Sequence, residues 1–151
     1  MSANTRADRL AALLAAVPYA RFLGMTAQLA GDEMTAILPF SSHLVGNTQL
    51  PALHGGVLGA FMEMTAVMQL SIREPALRAP GAHQPRTIDV TIEYLRPGRA
   101  LTLYARADVR KVGRRIANIQ VEAWQETRAS PVAALRGHFL LSLAAEGAKP
   151  S

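Results

Sequence analysis

The second half of the chain alternates apolar and polar residues in four successive runs. A period of two residues is typical of β-strands that bury one face. The alternation predicts strands over residues 88–94, 101–109, 119–123 and 132–143, with turns at Pro97-Gly98 and around Gly113. Consecutive strands joined by short turns favour an antiparallel sheet.

The first half begins with a helical pattern. Apolar residues recur at helical spacing at Leu10, Leu13, Leu14 and Val17. This run follows two arginines and could be read as part of a signal peptide, but its spacing is better explained by an amphipathic helix that ends at Pro18. Two strands are then predicted over residues 24–29 and 33–38, followed by a loop over residues 40–53.

Residues 55–72 form the longest apolar segment that is free of proline. The segment is too long for a strand and is apolar almost all round, which predicts a buried helix. Glu63 and Gln69 argue against a membrane span, because a carboxylate at mid-bilayer costs several kcal/mol. We therefore predict an α+β fold for residues 1–151 as one domain, with an antiparallel sheet wrapped around one long helix.

Composition narrows the functional classes. The chain has no cysteine, which excludes disulfides, thiolate catalysis and cysteine-ligated metals, and makes the cytoplasm the default location. Hydrophobic residues make up 50% of the chain and charged residues 18%, so one subunit has more apolar surface than it easily hides, and self-association is expected. Aromatic residues are only 5%, which disfavours nucleic acid as a partner, and no histidines have metal-ligand spacing.

Positive charge is concentrated in one place. The net charge is +5, and a local cluster contains Arg106, Arg110, Lys111, Arg114 and Arg115. Arginine pairs well with phosphate, so the cluster suits a phosphorylated ligand, although a solvated hairpin tip would have the same composition.

Glu63 is the only ionisable residue in the predicted helix. A buried carboxylate is costly unless it is paired or neutralised. Its helical neighbours include Gly56, Gly59, Ala60 and Ala66. Two interpretations stay open: the small residues let a strand or partner helix approach while Glu63 bonds to a backbone group or an arginine, or Glu63 is a functional carboxylate.

His54-Gly55-Gly56 stands where the helix begins, and unpaired backbone N–H groups there can polarise a carbonyl. Gly55 and Glu63 are eight residues apart, which is about 12 Å along a helix. One chain cannot easily bring both to one carbonyl. Two chains with antiparallel helices can, which predicts a site shared across a dimer interface.

Leu53-His54-Gly55-Gly56, Glu63 nine residues after the histidine, and the segment Thr87-Ile88-Asp89-Val90-Thr91-Ile92-Glu93-Tyr94-Leu95-Arg96-Pro97 together carry a family resemblance. The chain resembles the hotdog-fold thioesterases of the phenylacetate-degradation (PaaI) type over nearly its whole length. The resemblance implies a dimer or tetramer that hydrolyses acyl-CoA thioesters, with coenzyme A as part of the substrate and without a metal or other cofactor.

The resemblance also implies site residues. The Gly55 N–H would hold the thioester oxygen, beside Gly56, and His54 would shape the helix entrance. Glu63 of the partner would act as general base or nucleophile. Thr87 matches a position that orients the water or the carboxylate, and a strand-opening threonine is its structural alternative.

The loop before the helix departs from the family pattern. The family often has Asn or Gln six residues before the histidine, where this chain has Thr48, and either Asn47 or Gln49 would supply the amide instead.

The resemblance also gives the basic cluster a role. The phosphates of coenzyme A would be bound by Arg110, Lys111, Arg114 and Arg115.

We expect a medium-chain or aromatic acyl group, with methionines near Glu63 lining an adaptable pocket: Met62, Met64 and Met68. Core packing is the alternative for each of these methionines. The rival function is a non-catalytic hotdog protein that binds acyl-CoA, for which a carboxylate on the helix has no use.

Overall fold

A computed structural model describes residues 3–141, with side chains described from residue 6. Its helices are α1 (Ala3–Ala16), α2 (Pro18–Leu23) and α3 (Gly55–Arg73), and 3-10 turns lie at Ser42–Leu44 and Pro75–Arg78. Its strands are β1 (Thr26–Ala30), β2 (Glu33–Leu38), β3 (Val45–Asn47), β4 (Ala52–Leu53), β5 (Arg86–Tyr94), β6 (Leu103–Val112), β7 (Ile116–Trp124) and β8 (Ala133–Leu140). Residues 142 and 143, the end of the last predicted strand, lie outside the described residues.

Six strands form one antiparallel sheet in the order β1-β2-β6-β7-β8-β5, while β3 and β4 form a small separate hairpin. The helix α3 packs against the inner face of the large sheet. This confirms the predicted hotdog arrangement. The edge strand β5 comes from the middle of the sequence, because the chain crosses the sheet after α3.

The helix α3 is long and apolar enough to cross a membrane by length and composition alone, but 67% of it is buried within the fold. It is the core helix of the sheet. Both ends of the buried Gln69 side-chain amide are hydrogen-bonded: Oε1 accepts from the Met34 N–H at 2.8 Å, and Nε2 donates to the Asp32 carbonyl at 2.7 Å. Burying one large apolar side chain contributes about 1.5–3 kcal/mol, and the largest buried side chains include Phe61, Met62, Leu70, Ile72, Ile119 and Phe139.

The C-terminal end of α3 is capped by α1. Arg9 donates from Nε to the Ser71 carbonyl at 3.1 Å and from Nη2 to the Leu77 carbonyl at 2.9 Å. These carbonyls lie where a helix end lacks intrahelical partners. Burial, and secondarily the charge of Arg78, lower the pKa of Arg9. The first helix therefore contributes hydrogen bonds as well as apolar contacts.

The sequence prediction was wrong between α1 and β1. Pro18 does end the first helical run, but it also starts α2, where the missing proline N–H costs nothing. Gly24, predicted as the start of a strand, has φ of 85° and ends α2 by donating to the Ala20 and Arg21 carbonyls. A six-residue helix is too short to show a period.

Candidate active site

The start of α3 leaves one backbone donor available. The His54 side chain caps the helix, accepting from the Gly56 N–H at Nδ1 over 2.8 Å. The His54 carbonyl accepts from the Val57 N–H at 2.9 Å and the Leu58 N–H at 3.2 Å. Within residues 3–141, the Gly55 N–H is the one amide of this first turn with no hydrogen-bond acceptor. The donor predicted to hold the thioester oxygen is thus unoccupied, whereas the N–H of Gly56 is already used.

Tyr94 fixes this helix start to the edge strand β5. Its hydroxyl donates to the Gly55 carbonyl at 2.9 Å, and its ring would lie 3.3 Å from a Cβ at Gly55. One turn on, a Cβ at Gly59 would come 2.8 Å from Cδ1 of Ile92. The small residues of α3 therefore let a strand approach closely. Sequence reasoning missed Tyr94 as a site residue, because this contact spans 39 positions.

The loop between β3 and β4 lies at the same end of α3. Asn47 accepts the Gln49 N–H at Oδ1 over 3.0 Å, and both side chains are exposed. A Cβ at Gly46 would come 2.8 Å from the His54 Cα, so this hairpin packs tightly against the helix entrance. Asn47 pairs with Ala52, three residues before Gly55, and Gln49 lies in the turn of this hairpin; neither residue lines the Glu63 cavity of the same chain.

Glu63 and Thr87 line one cavity of about 300 Å³. Glu63 is half-buried there, and its carboxylate makes no hydrogen bond or ion pair with residues 6–141. The structural interpretation of Glu63 required a backbone or arginine partner, which this part of the chain does not supply. The other cavity residues are Val17, Met64, Val67, Met68, Gln84, Pro85 and Arg86.

Thr87 reaches the cavity because β5 contains an extra residue. The register pairs Thr87 with Phe139 and Asp89 with His138, leaving Ile88 as a bulge. Phe139 is fully buried on the inner face, so Thr87 also faces inward, whereas Ile88 is 51% exposed. Simple alternation along the sequence would have placed Ile88 inside and Thr87 outside.

The structure places two of the three methionines at the Glu63 cavity. Met64 and Met68 line it with Val17 and Val67, although Met68 is also a buried core residue, and Met62 is fully buried and does not line the cavity. Residues 62 and 63 are neighbours in sequence but point about 100° apart on a helix. Sequence distance from Glu63 was therefore a poor guide to the pocket.

The basic cluster contains arginines on β6 that have partners and exposed arginines in the turn after it. Arg106 donates to Thr35 Oγ1 at 3.0 Å on the outer face of the sheet, and Arg110 pairs with Asp108 at 2.8 Å. Arg114 and Arg115 lie exposed in the turn between β6 and β7. Among the four residues predicted to bind phosphate, Arg110 is therefore already paired with a carboxylate, whereas Arg114 and Arg115 are exposed.

The exposed turn lies at the same end of the sheet as Thr87. Ladder pairs run from Thr87 through Phe139 and Ala117 to Val112, just before the turn. The neighbouring Arg86, which sequence reasoning did not select, adds a cation at the cavity. Basic side chains and the Glu63 cavity therefore share one end of the molecule.

Comparison with known proteins decides the family. The model of the thioesterase superfamily matches residues 50–132, which include the helix entrance, Glu63 and Thr87. This chain belongs to the thioesterase superfamily. The resemblance drawn from the motifs is confirmed.

A curated relative and two solved structures resemble this chain. The medium/long-chain acyl-CoA thioesterase YigI of Escherichia coli is 31% identical over 121 residues, covering 73% of this chain and 77% of that protein. A crystal structure from Chromobacterium violaceum is 35% identical, with a TM-score of 0.69 over 91% of this chain and 96% of that one. The PaaI protein from the E. coli phenylacetic acid degradation operon has a TM-score of 0.75 over 91% of this chain and 94% of that one, and its 21% identity indicates a shared fold.

Among residues 3–141, no group of three or more histidine, aspartate or glutamate side chains has the geometry of a metal site. His54 caps α3, and His138 pairs with Asp89 at 2.8 Å. The expectation that catalysis requires no metal stays a prediction.

Proposed function

We propose that this thioesterase hydrolyses medium-chain or aromatic acyl-CoA to a free acid and coenzyme A. The observation that carries the proposal is Glu63, a half-buried carboxylate on the mostly apolar helix α3. It lines a cavity and has no hydrogen-bond partner among residues 6–141. A carboxylate held in this way is suited to act on water or on a carbonyl carbon. The names of the relatives support the substrate class, since YigI is a medium/long-chain acyl-CoA thioesterase.

The edge strand β5 indicates how two subunits would complete the site. Gly55 is held by Tyr94 at one end of β5, and Glu63 shares its cavity with Thr87 at the other end. Antiparallel pairing of β5 with the same strand of a second copy exchanges these ends. The partner's Gly55 would then approach Glu63, although about 12 Å of helix separates these residues within one chain.

The exposed surface of β5 supports such pairing. Within the described residues β5 pairs only with β8, so its other edge has unsatisfied backbone groups. Ile88, Tyr94 and Leu95 are 51%, 55% and 49% exposed along this strand and just after it. A second copy would cover them, and we propose a dimer that pairs further into a tetramer in the cytoplasm.

The proposed reaction uses groups from both subunits. The Gly55 N–H would donate to the thioester oxygen and stabilise the negative charge that develops there. Glu63 would remove a proton from water as the water oxygen attacks the carbonyl carbon, or would attack that carbon itself and form an anhydride that water then opens. Either route breaks the C–S bond, and the departing sulfur receives a proton. Thr87 would orient the water or the carboxylate.

The cavity and the basic turn suggest where the rest of the substrate lies. Val17, Met64, Val67 and Met68 give the cavity an apolar wall suited to an acyl chain or an aromatic ring. The exposed turn would supply Arg114 and Arg115 to the phosphates of coenzyme A, with Lys111 nearby. Arg110 would contribute less, because Asp108 neutralises part of its charge.

The test is release of coenzyme A by the purified protein from short, medium, long and aromatic acyl-CoAs, with the Glu63→Ala protein alongside. Saturable turnover on medium-chain or aromatic substrates that the variant loses is the expected result. Equal background from both proteins would contradict hydrolysis and favour a binding protein for acyl-CoA.

A further inference from the structure

Two close contacts join the bulge in β5 to the neighbouring strand β8. In the strand β8, Gly137 passes so close that a Cβ there would lie 2.9 Å from the Asp89 carbonyl oxygen. On the outer face, His138 Nδ1 and Asp89 Oδ1 are 2.8 Å apart. Asp89 is the first paired residue after the bulge, so this contact lies directly beside the extra residue.

The position of the extra residue decides which side chain faces the cavity. Shifting a strand by one residue exchanges its two faces. Without the bulge, Ile88 would replace Thr87 opposite Phe139 and enter the inner face. The strand β5 is also an edge of the sheet, so within the described residues β8 is the only strand that pairs with it and holds its register.

We propose that Asp89 and His138 are positioning residues, whose contact on the outer face holds the hydroxyl of Thr87 toward Glu63 on the inner face. Neither residue touches the substrate. The inference rests on the proposed catalytic roles of Glu63 and Thr87. It adds two residues on the opposite side of the sheet that set the position of Thr87.

The same two strands contain a matched control. Arg136 and Glu93 form a cross-strand ion pair at 3.7 Å, also on the outer face, with side chains as exposed as those of His138 and Asp89. This pair lies away from the bulge. If exposed pairs of this kind only stabilised the sheet, loss of either pair would have a small effect on kcat, whereas a positioning role belongs to the pair at the bulge alone.

The experiment measures kcat and KM for thioester hydrolysis in His138→Ala, His138→Asn and Arg136→Ala, each with and without Thr87→Val. We expect His138→Ala to lower kcat about three- to tenfold at nearly constant KM, with most activity kept by His138→Asn, whose amide can still donate to Asp89. Arg136→Ala should change kcat less than about twofold. In the Thr87→Val background, His138→Ala should have no further effect, because its target hydroxyl is gone.

Equal losses from His138→Ala and Arg136→Ala, or losses that multiply with that of Thr87→Val, would overturn the inference while leaving the thioesterase assignment intact. Unchanged kcat in Thr87→Val would overturn both the inference and the role of Thr87. A wild-type protein without turnover would instead refute the proposed function. If His138→Ala does not fold, Asp89→Ala tests the same contact from the other strand.

Discussion

The two ends of residues 55–63 in α3 differ in how many of their hydrogen-bonding groups have a partner within the protein. At the entrance, the His54 side chain, the His54 carbonyl and the Tyr94 hydroxyl each have a fixed hydrogen-bond partner, and the single N–H of Gly55 is left over. Two turns later, Glu63 faces a cavity with no partner among residues 6–141. One end thus offers a hydrogen-bond donor and the other an acceptor, and the proposed hydrolysis of a thioester carbonyl would use both.

The largest effect is expected for substitution of Glu63, because the proposed reaction has no other base or nucleophile. Glu63→Gln keeps the shape of the side chain but removes its basicity, so kcat should fall by at least about a hundredfold, the scale of a lost general base or nucleophile. Steady-state kinetics measures the loss, and gel filtration checks that the oligomer is intact. Glu122→Gln, an exposed carboxylate on β7, is the control and should keep wild-type turnover. Turnover like that of the wild type in Glu63→Gln would contradict the assignment.

The donor end can be tested by replacing Gly55 with a residue that has no backbone N–H. Gly55 is the first residue of α3, a position that accepts proline, and His54 already has the extended ψ of 134° that a following proline favours. Gly55→Pro removes the N–H and should lower kcat about a hundred- to a thousandfold, as loss of an oxyanion donor does.

Gly55→Ala is the matched control for this donor. It places the same Cβ 3.3 Å from the Tyr94 ring but keeps the N–H, so it should retain most activity. Equal kinetics and equal thermal unfolding for the proline and alanine variants would show that packing, and not the donor, sets the rate.

The sequence predicted some features of these two ends and missed others. Glu63 was conspicuous as the one charge on an apolar helix, and the alternating runs predicted the strands of the sheet. The bulge at Ile88 was hidden, because Ile88, Val90 and Ile92 alternate without a break. It is a feature of pairing with another strand, where a Cβ at Gly137 would come 2.9 Å from the Asp89 carbonyl oxygen. The Tyr94 contact with Gly55 is likewise nonlocal, and local patterns do not report such contacts.

The smallest effect is expected farthest from both ends, at the basic turn. The double variant Arg114→Ala with Arg115→Ala should raise KM for acyl-CoA a few-fold at unchanged kcat, more strongly at low salt, because exposed charges are screened. The same variant should leave KM unchanged for the acyl thioester of N-acetylcysteamine, which has no phosphate. Arg99→Ala, whose charge pairs with Glu126, is the control. Equal changes in KM for both substrates would contradict phosphate binding.

The central claim is that the donor of one subunit serves the carboxylate of the other, and complementation tests it most directly. Glu63→Ala and Gly55→Pro would each be inactive alone, and the two variants would be co-expressed with different tags so that mixed oligomers can be purified. A mixed dimer contains one site with an intact Gly55 N–H and an intact Glu63, so random pairing predicts recovery of about a quarter of the wild-type activity before the mixed species is selected. Activity in the mixed oligomer is the predicted result, and a mixed oligomer as inactive as its parents would contradict a shared site.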